Sequence, residues 1–406
     1  MKHILIITAN FPPEPVTSAI MNCDLAEALS VRYRVTVLAP RPSRPKEMDF
    51  SRAERPSGRY RLITQDSYVH PESQMAGRFR ESYSFGRCSA EYIRKHHEEI
   101  DFVYNDGWQF VGLYLVARAC VRYGIPYLVP IQDIYPESLL TKLPRVPLLR
   151  PLVRALMAPF DRYYIRHAAC VRTISPAMAR YLAQTRGVEE KRFLVVANWQ
   201  DETGFDAVPD EAKDDGRTTV RFMFAGNNSR QANVAMIINA FLDAGLHNAE
   251  LYIMGGGNER ENCELLARRR GASNVTFGSI PDGMVPEVQR RADVMVLALK
   301  HGTGTLCIPS KLVAYMLSGK AVLASVEEGS DTSRILREAQ CGVVVPEDDR
   351  ASLTEAFRRL AATSREELCL MGKRSRHYAE QHLTRRANLT RVVQTIEQLL
   401  IHKDRR

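Results

Sequence analysis

The length, composition and charge of the chain exclude several classes of protein. Its 406 residues, 45% hydrophobic and 25% charged, exceed one ordinary core and fit two globular domains of about 150–200 residues each. No apolar run approaches the roughly 18 residues that span a bilayer. Eight scattered cysteines without a C-x-x-C pair argue against a structural zinc site or a disulfide framework and fit a reducing cytosol.

The net charge of +9 comes entirely from the first half of the chain. Residues 1–200 hold 28 Lys and Arg against 19 Asp and Glu, a surplus of 9, whereas the remaining residues hold 28 of each kind. A basic half favours an anionic partner such as a membrane surface, a lipid phosphate or a nucleic acid. A basic soluble surface without such a partner is the alternative.

The first half has the pattern of a doubly wound α/β domain. Strands and helices are predicted in alternation over residues 2–9, 24–30, 34–39, 101–105, 112–122 and 127–131. The N-terminal apolar run is too short for a secretory signal, so we expect it to be the first strand. The loops over 11–18 and 132–138 follow strands at the carboxyl ends, where such folds bind ligands.

Two carboxylates, Asp133 and Glu137, come directly after the predicted strand over 127–131. Carboxylates at that place suit acid–base chemistry or the binding of hydroxyl groups, so both are candidate catalytic residues. The alternative is that Asp133 caps a helix and Glu137 is a surface residue.

Residues 142–166 combine an apolar stripe with five arginines and four prolines. A basic amphipathic segment of this kind can lie in a membrane interface. A helix packed on the sheet would show the same stripe, and both interpretations stay open. We expect a cytoplasmic protein, which would be peripheral on the inner face of the membrane if the first interpretation holds.

The polar residues 201–217 have no periodic pattern and predict a domain boundary. A second alternating series follows it, with strands over 220–225, 251–254, 275–280 and 294–299. Three loops of this half, over 226–231, 255–258 and 302–310, lead from strands into helices. Converging helix starts suit a nucleotide diphosphate, with Arg230 and Lys311 to neutralise it.

The stretch from His301 to Ser325 contains the clearest anion site. Pro309, Ser310 and Lys311 open a predicted helix and Gly319 closes it. The helix start offers unpaired N–H groups and a partial positive charge, to which Lys311 adds a full charge.

Other nucleotide and metal motifs are missing from the sequence. A G-x-G-x-x-G fingerprint over 255–260 would need glycine where Arg260 stands, and neither G-x-x-x-x-G-K-[ST] nor H-E-x-x-H occurs. Nicotinamide binding is therefore not expected, and the residues offer no metal site.

Several short motifs, in order along the chain, resemble a known family. They are NFPPEP at 10–15, QDIYPES at 132–138, NW at 198–199, FAGN at 224–227, GGG at 255–257, VTFGSIP at 275–281 and PSKLVAYMLSGKAVLAS at 309–325. The chain resembles retaining glycosyltransferases of the GT-B fold, family 4, which includes sucrose and glycogen synthases. Within it, the chain is most similar to bacterial polysaccharide-assembly enzymes, among them N-acetylfucosaminyl transferases of O-antigen and capsule pathways.

The resemblance implies an α/β GT-B fold, in which two Rossmann-like doubly wound domains face a cleft. An acceptor domain would cover 1–200, a nucleotide-sugar domain 201–385, and a C-terminal helix 386–406 would pack back on the first domain. The implied reaction moves a hexosyl or N-acetylhexosaminyl group, with retained configuration and without a metal or cofactor. Its donor would be a nucleotide sugar, with UDP as the expected nucleotide. The acceptor would be a lipid-linked oligosaccharide or a polysaccharide in bacterial surface glycan synthesis, and no nucleic acid would take part.

The family's roles transfer to particular positions. The donor side would comprise Gly226, Asn227, Asn228, Arg230, Gly256, Ile280, Thr305, Ser310 and Lys311. The acceptor side would comprise Thr17, Ser18 and Asp106, and the catalytic candidates remain Asp133 and Glu137.

The chain departs from the family at three places. The family's two glutamates, one of which holds the nucleotide ribose, correspond to Leu306 and Ala314. Gln132 replaces the usual His, and residues 17–19 replace a Gly-Gly pair. Two alternatives therefore stay open: a non-catalytic or divergent GT-B protein, or a nucleotide-sugar epimerase on the same fold.

Overall fold

The computed structural model describes residues 1–44, 48–50, 57–70, 74–142, 149–199, 201–206, 218–301 and 308–404. The chain divides into two compact units, the first formed by Met1–Asn198 with Leu389–Arg406 and the second by Trp199–Asn388. Each unit has its own sheet and its own hydrophobic core. Within the described ranges no helix is long and apolar enough to cross a membrane.

The described residues of the first unit form a seven-stranded parallel sheet. Its strands are β1 (His3–Thr8), β2 (Arg34–Pro40), β3 (Arg61–Gln65), β4 (Phe102–Asp106), β5 (Tyr127–Ile131), β6 (Cys170–Thr173) and β7 (Phe193–Val195). They lie in the order β3-β2-β1-β4-β5-β6-β7, and every pair is parallel. The order reverses between β1 and β4, and ligands of such sheets bind outside the carboxyl ends at that point.

Helices connect these strands. They are α1 (Thr17–Ser30), α2 (Met75–His96), α3 (Val111–Arg122), α4 (Glu137–Lys142), α5 (Leu149–His167) and α6 (Pro176–Arg186). Local sequence explains the ends of α6, because the Ser175 hydroxyl accepts the N–H of Met178, Pro176 occupies the first turn and Gly187 closes the helix in a left-handed conformation. Every residue of β1 is buried, as in a parallel sheet covered on both faces.

Over 218–301 and 308–388 the second unit repeats the order of the first six of these strands. Its strands are β8 (Val220–Ala225), β9 (Ala249–Met254), β10 (Val275–Gly278), β11 (Val294–Ala298), β12 (Ala321–Ser325) and β13 (Gly342–Val345). They lie in the order β10-β9-β8-β11-β12-β13, all pairs parallel. The order here reverses between β8 and β11.

The helices of the second unit pack on a core in which three phenylalanine rings contact one another. They are α7 (Thr203–Asp206), α8 (Val234–Asp243), α9 (Arg260–Arg269), α10 (Val285–Arg290), α11 (Ser310–Leu317), α12 (Asp331–Ala339), α13 (Arg350–Ala361) and α14 (Arg365–His382). The rings of Phe222, Phe241 and Phe357 pack edge to face, with centroids 4.9–6.1 Å apart.

The last helix, α15 (Arg385–Asp404), returns the chain to the first unit. There Glu397 of α15 accepts hydrogen bonds from Arg32 at 3.0 Å and from the Tyr33 hydroxyl at 3.4 Å.

The prediction of two doubly wound α/β domains is confirmed by both sheets. The strand β3 was not predicted, because Arg61–Gln65 follows a stretch rich in arginine and proline that has no periodic pattern. Most of the predicted boundary over 201–217 lies outside the described residues.

Candidate functional site

In the second unit, two loops meet backbone to backbone at the ends of β8 and β9. The Gly226 N–H donates to the Met254 carbonyl at 2.8 Å, and the Gly255 N–H donates to the Gly278 carbonyl at 2.9 Å. Gly255 has a φ of 118°, and a Cβ there would lie 2.3 Å from the Gly226 oxygen. Only glycine therefore fits at this position.

Lys311 lies in the first turn of α11 and extends over the β8 loop. A Cβ on Gly226 would lie 2.4 Å from Cε of Lys311, so the missing side chain makes room for the lysine. The Nζ atom is 5.4 Å from the centre of the Phe224 ring, and burial lowers the pKa of Lys311. Among the described residues no carboxylate forms an ion pair with it, and a bound phosphate would supply the missing counter-charge.

Tyr315 fixes α11 to the end of β8. Its fully buried hydroxyl donates to the Ala225 carbonyl and accepts the Ala225 N–H, both at 2.9 Å. The placement of Lys311 therefore depends on Tyr315. The sequence did not suggest this role, because a tyrosine in an apolar helical stripe usually signifies packing alone.

Asn228 places a buried amide beside the same loops. Its backbone N–H donates to the Gly256 carbonyl at 2.7 Å, and its carbonyl accepts the Glu259 N–H at 3.0 Å. Within the described part of the chain neither atom of its side-chain amide has a hydrogen-bond partner, although the residue is fully buried. An unsatisfied buried amide is costly, so a polar ligand that reached it would bind favourably.

Arg260 fastens the ends of β9 and β10 together. Its Nη1 donates to the carbonyls of Gly255 and Gly278, both at 2.9 Å, and its Nε donates to Glu264 at 2.9 Å. The residue that breaks the dinucleotide fingerprint is thus a structural clamp. In the sequence alone, Arg260 indicates only that nicotinamide does not bind.

The remaining donor-side predictions also follow strand ends of this sheet. Asn227, Arg230, Gly256 and Ser310 are exposed, and Ile280 is half-buried. Thr305 and Leu306 lie outside the described residues. Ala314 is 5% exposed and packs inside α11.

In the first unit, Asp106 lies where the strand order reverses. The Asn22 amide donates to its carboxylate at 2.6 Å and to the Thr8 hydroxyl at 2.7 Å, which joins β1, α1 and β4. Burial raises the pKa of Asp106 to about 7, although the hydrogen bond from Asn22 and the charge of Arg172 act in the opposite direction. Asp106 can therefore hold or release a proton near neutral pH.

The start of α1 faces the same edge of the sheet. Thr17 is exposed, and the Ser18 hydroxyl accepts a hydrogen bond from the Asn10 amide at 3.3 Å. The loop before the helix is held by buried Glu14, which accepts the backbone N–H groups of Ser43 and Arg44 at 2.8 and 3.1 Å.

The two predicted catalytic carboxylates have different surroundings. Asp133 is exposed just beyond β5. Glu137 begins α4 and accepts hydrogen bonds from Arg186 at 2.8 and 2.9 Å and from the Tyr181 hydroxyl at 2.9 Å. Burial opposes its ionisation, but the Arg186 hydrogen bonds and charge outweigh it and hold the pKa of Glu137 below its usual value. Arg186 also pairs with buried Asp161, so Glu137 belongs to a structural ion-pair network.

A chain of polar side chains links the ends of β5, β6 and β7. The Asn198 amide donates to Gln132 at 3.3 Å and accepts from Arg172, which is 2% exposed, at 3.1 Å. This hydrogen bond holds the Gln132 side chain in position. Nowhere in the described ranges do three His, Cys, Asp or Glu side chains converge as a metal ion would require.

Comparison with known proteins agrees with this architecture. Residues 19–199 match the family described as glycosyl transferase 4-like domain, and residues 219–363 match glycosyl transferases group 1. The two units have the GT-B fold. The chain therefore carries two domains of glycosyltransferase families, a glycosyl transferase 4-like domain followed by a group 1 domain.

Three known proteins illustrate the similarity. The probable glycosyltransferase WbjE of Pseudomonas aeruginosa is 23% identical over 252 residues, which are 60% of this chain and 62% of that protein. HepE of Anabaena, solved in complex with UDP, superposes with a TM-score of 0.65 at 16% identity, over 98% of this chain and 100% of that one. WaaG, a glycosyltransferase involved in lipopolysaccharide biosynthesis, superposes with a TM-score of 0.59 at 17% identity, over 93% of this chain and 95% of that one.

Proposed function

We propose that this chain is a retaining glycosyltransferase that uses a UDP-sugar donor and a lipid-linked or polysaccharide acceptor in bacterial surface glycan synthesis. One observation carries the proposal: the half-buried ammonium of Lys311 lies in the first turn of α11, against the glycine loop at the end of β8. The two glycosyltransferase domains support it. The UDP complex of HepE supports the choice of nucleotide.

The donor diphosphate would bind at the second unit. Lys311 and the N–H groups that begin α11 would stabilise the negative charge that grows on the diphosphate as the sugar leaves. The unpaired amide of Asn228 would bind a polar group of the donor, and the exposed Arg230 would add charge from the 226–231 loop. These groups supply the electrostatic stabilisation that a metal ion would otherwise provide.

The acceptor would bind at the first unit, on the edge that carries Asp106, Thr17 and Ser18. Asp106, with a pKa near 7, would bind an acceptor hydroxyl. In a front-face reaction an oxygen of the donor phosphate takes the acceptor proton, so Asp133 would orient a hydroxyl and need not act as a general base. Glu137 would hold the 132–138 loop through Arg186.

The acceptor we propose is a sugar linked to a lipid diphosphate at the inner membrane face. The basic first half of the chain supports it, since all of the net charge of +9 arises there. The similarity to WaaG supports a place in surface glycan synthesis. We propose a hexosyl or N-acetylhexosaminyl group as the transferred sugar, and N-acetylfucosaminyl is the first candidate because of the sequence motifs.

The direct test is turnover by the purified chain. It would be incubated with a panel of UDP-sugars and a polyprenyl-diphosphate-linked sugar, and the product's anomeric configuration would be determined. We expect one donor to be consumed only when the acceptor is present, with configuration retained. A folded protein that transfers no sugar from any donor contradicts the proposal, and a donor altered without acceptor indicates an epimerase.

A non-catalytic role is the second candidate, because of Ala314. This residue replaces the family glutamate that holds the nucleotide ribose, and it is a buried apolar side chain here. Calorimetry with UDP separates the candidates, since an enzyme must bind the nucleotide and a scaffold need not.

A further inference from the structure

The carboxyl end of β5 carries an amide side chain, Gln132, whose orientation depends on a buried cation of the neighbouring strand. That cation is Arg172 of β6, which is 2% exposed. Its Nε donates to the Val196 carbonyl at 3.3 Å, and its Nη2 donates to the Ala197 carbonyl at 3.4 Å. The Tyr104 hydroxyl forms a further hydrogen bond with it. Because the guanidinium is a rigid planar fork, these contacts fix its position and direction.

The fixed guanidinium determines how the Asn198 amide is turned. Arg172 offers only donors, so the atom of Asn198 that lies 3.1 Å from its Nη2 must be the carbonyl oxygen, Oδ1. The Asn198 Nδ2 is then directed away from Arg172, and it donates to Oε1 of Gln132 at 3.3 Å. If the Asn198 amide were flipped, its N–H groups would face those of the arginine. The arginine therefore sets the direction of the whole chain of hydrogen bonds.

The same constraint fixes the outer end of this chain. Because Oε1 of Gln132 accepts from Asn198, Nε2 of Gln132 is directed elsewhere, and among the described residues none accepts a hydrogen bond from it. Gln132 is half-buried, and the next residue, Asp133, is exposed. The end of β5 thus presents a neutral donor next to a carboxylate, at the edge where doubly wound sheets bind ligands.

We propose that Gln132 donates a hydrogen bond to a hydroxyl oxygen of the acceptor sugar, and that Arg172 and Asn198 are positioning residues that keep its amide turned for this contact. The inference rests on the proposed glycosyl transfer and names a contact on its acceptor side. The Gln132 nitrogen can only donate and the Asp133 carboxylate can only accept, whereas hydroxyl groups do both. An uncharged donor suits a sugar oxygen, while a phosphate favours a cation.

A purely structural role for these hydrogen bonds leads to a different expectation. If Arg172 and Asn198 only tie β6 to the segment that follows β7, Asn198→Asp should be harmless, since a carboxylate binds arginine more strongly than an amide does. In the positioning role, the same substitution removes the Nδ2 donor. The new carboxylate then accepts the Gln132 N–H group, and Gln132 turns its oxygen toward the substrate.

The experiment measures steady-state kinetics of the full chain with a UDP-sugar and a polyprenyl-diphosphate-linked sugar, each varied in turn. For Asn198→Asp we expect the acceptor KM to rise about tenfold, through loss of one hydrogen bond, with an unchanged donor KM and no fall in Tm. Gln132→Met, which removes the donor without adding a charge, should raise the acceptor KM equally.

The matched control is Asn262→Asp, which makes the same charge change at an exposed position of α9 and should leave both KM values unchanged. A wild-type acceptor KM in Asn198→Asp or in Gln132→Met overturns the proposal. An equal rise of the donor KM also overturns it, because the contact would then not belong to the acceptor.

A second measurement follows the amide itself and needs no activity. In chain prepared with isotopically labelled glutamine, the NMR signal of the Gln132 side-chain amide is identified by its loss in Gln132→Met. We expect its protons to exchange with water more slowly in Asn198→Asp than in the wild type, because the new carboxylate accepts them. Equal exchange refutes the positioning by Asn198. The expected exchange without sugar transfer from any donor refutes the proposed function, and the acceptor contact with it, while the positioning of Gln132 stands.

Discussion

The two units share a strand order but differ in what they place at the point where it reverses. In the second unit, backbone and a single cation form that point, because Gly226 and Gly255 bring the loops together beneath Lys311. In the first unit the corresponding point holds a carboxylate, Asp106, supported by Asn22. A cation surrounded by N–H groups suits a diphosphate, and a carboxylate suits a hydroxyl. The same topology would therefore serve the two different ligands proposed above, and the strand-end residues would decide which.

The largest expected effect comes from adding a side chain at Gly255, where the backbones of two loops of the second unit meet. Gly255→Ala would force a Cβ to within 2.3 Å of the Gly226 oxygen at a φ of 118°. We expect a loss of about 2–4 kcal/mol in the free energy of unfolding, together with loss of UDP binding. Gly256→Ala is the control, because a Cβ there meets open space. Equal stability of the two variants, measured by denaturant unfolding, would contradict a steric requirement for glycine at 255.

Removal of the Tyr315 hydroxyl should have the next largest effect. Tyr315→Phe leaves the N–H and carbonyl of Ala225 without their buried partner, which costs about 1–3 kcal/mol. UDP affinity should fall as well, since α11 is no longer fixed to β8. Tyr83→Phe, an exposed tyrosine of the first unit, provides the control for thermal unfolding. If Tyr315→Phe unfolds at the same temperature as the wild type, the Tyr315 hydroxyl does not anchor α11.

Lys311→Ala tests the cation itself. We expect UDP affinity to fall about tenfold, which corresponds to about 1.4 kcal/mol, with no loss of thermal stability, because burial disfavours the charged form of this lysine. Lys373→Ala, an exposed lysine of α14, should leave UDP affinity unchanged in the same calorimetric titration. If Lys311→Ala bound UDP as tightly as the wild type, the phosphate would not bind at the start of α11.

The smallest effect concerns Asp106 and depends on pH. Its pKa lies near 7 in the folded protein against an ordinary value of 3.8, so the folded state binds the proton more tightly than the unfolded state. Its contribution to stability is therefore complete below pH 3.8 and is lost as the pH rises to about 7. Asp106→Asn should raise Tm by about 2–4 °C at about pH 8 and change it little at about pH 4.

Asp133→Asn controls for the loss of a negative charge at the same sheet edge, since Asp133 is exposed. Thermal unfolding across the same pH range compares the two variants. If the Tm of Asp106→Asn depends on pH in the same way as that of the wild type, Asp106 does not titrate near neutrality. The contrast between Asp106 in the first unit and Lys311 in the second would then be weaker.

The sequence was sufficient for the fold because its signals are local. Apolar strands such as His3–Thr8 and Val294–Ala298 alternate with amphipathic helices, and that alternation specifies parallel sheets. Ser175, Pro176 and Gly187 mark the ends of α6 through short-range hydrogen bonds and backbone conformation. The prediction that Lys311 binds an anion rests on a local signal too, because proline and lysine at a helix start act within one turn.

The tertiary structure alone decided the surroundings of the other residues. Tyr315 reaches Ala225 across 90 positions, and Arg186 reaches Glu137 across 49, so no local pattern announces either contact. Glu137 was predicted as a catalytic candidate from its place after a strand, yet its ion pair with Arg186 depends on how α4 and α6 pack. Likewise, Asp106 owes its raised pKa to burial. Periodicity and end signals are local properties of a sequence, whereas partners and desolvation arise only when distant segments come together.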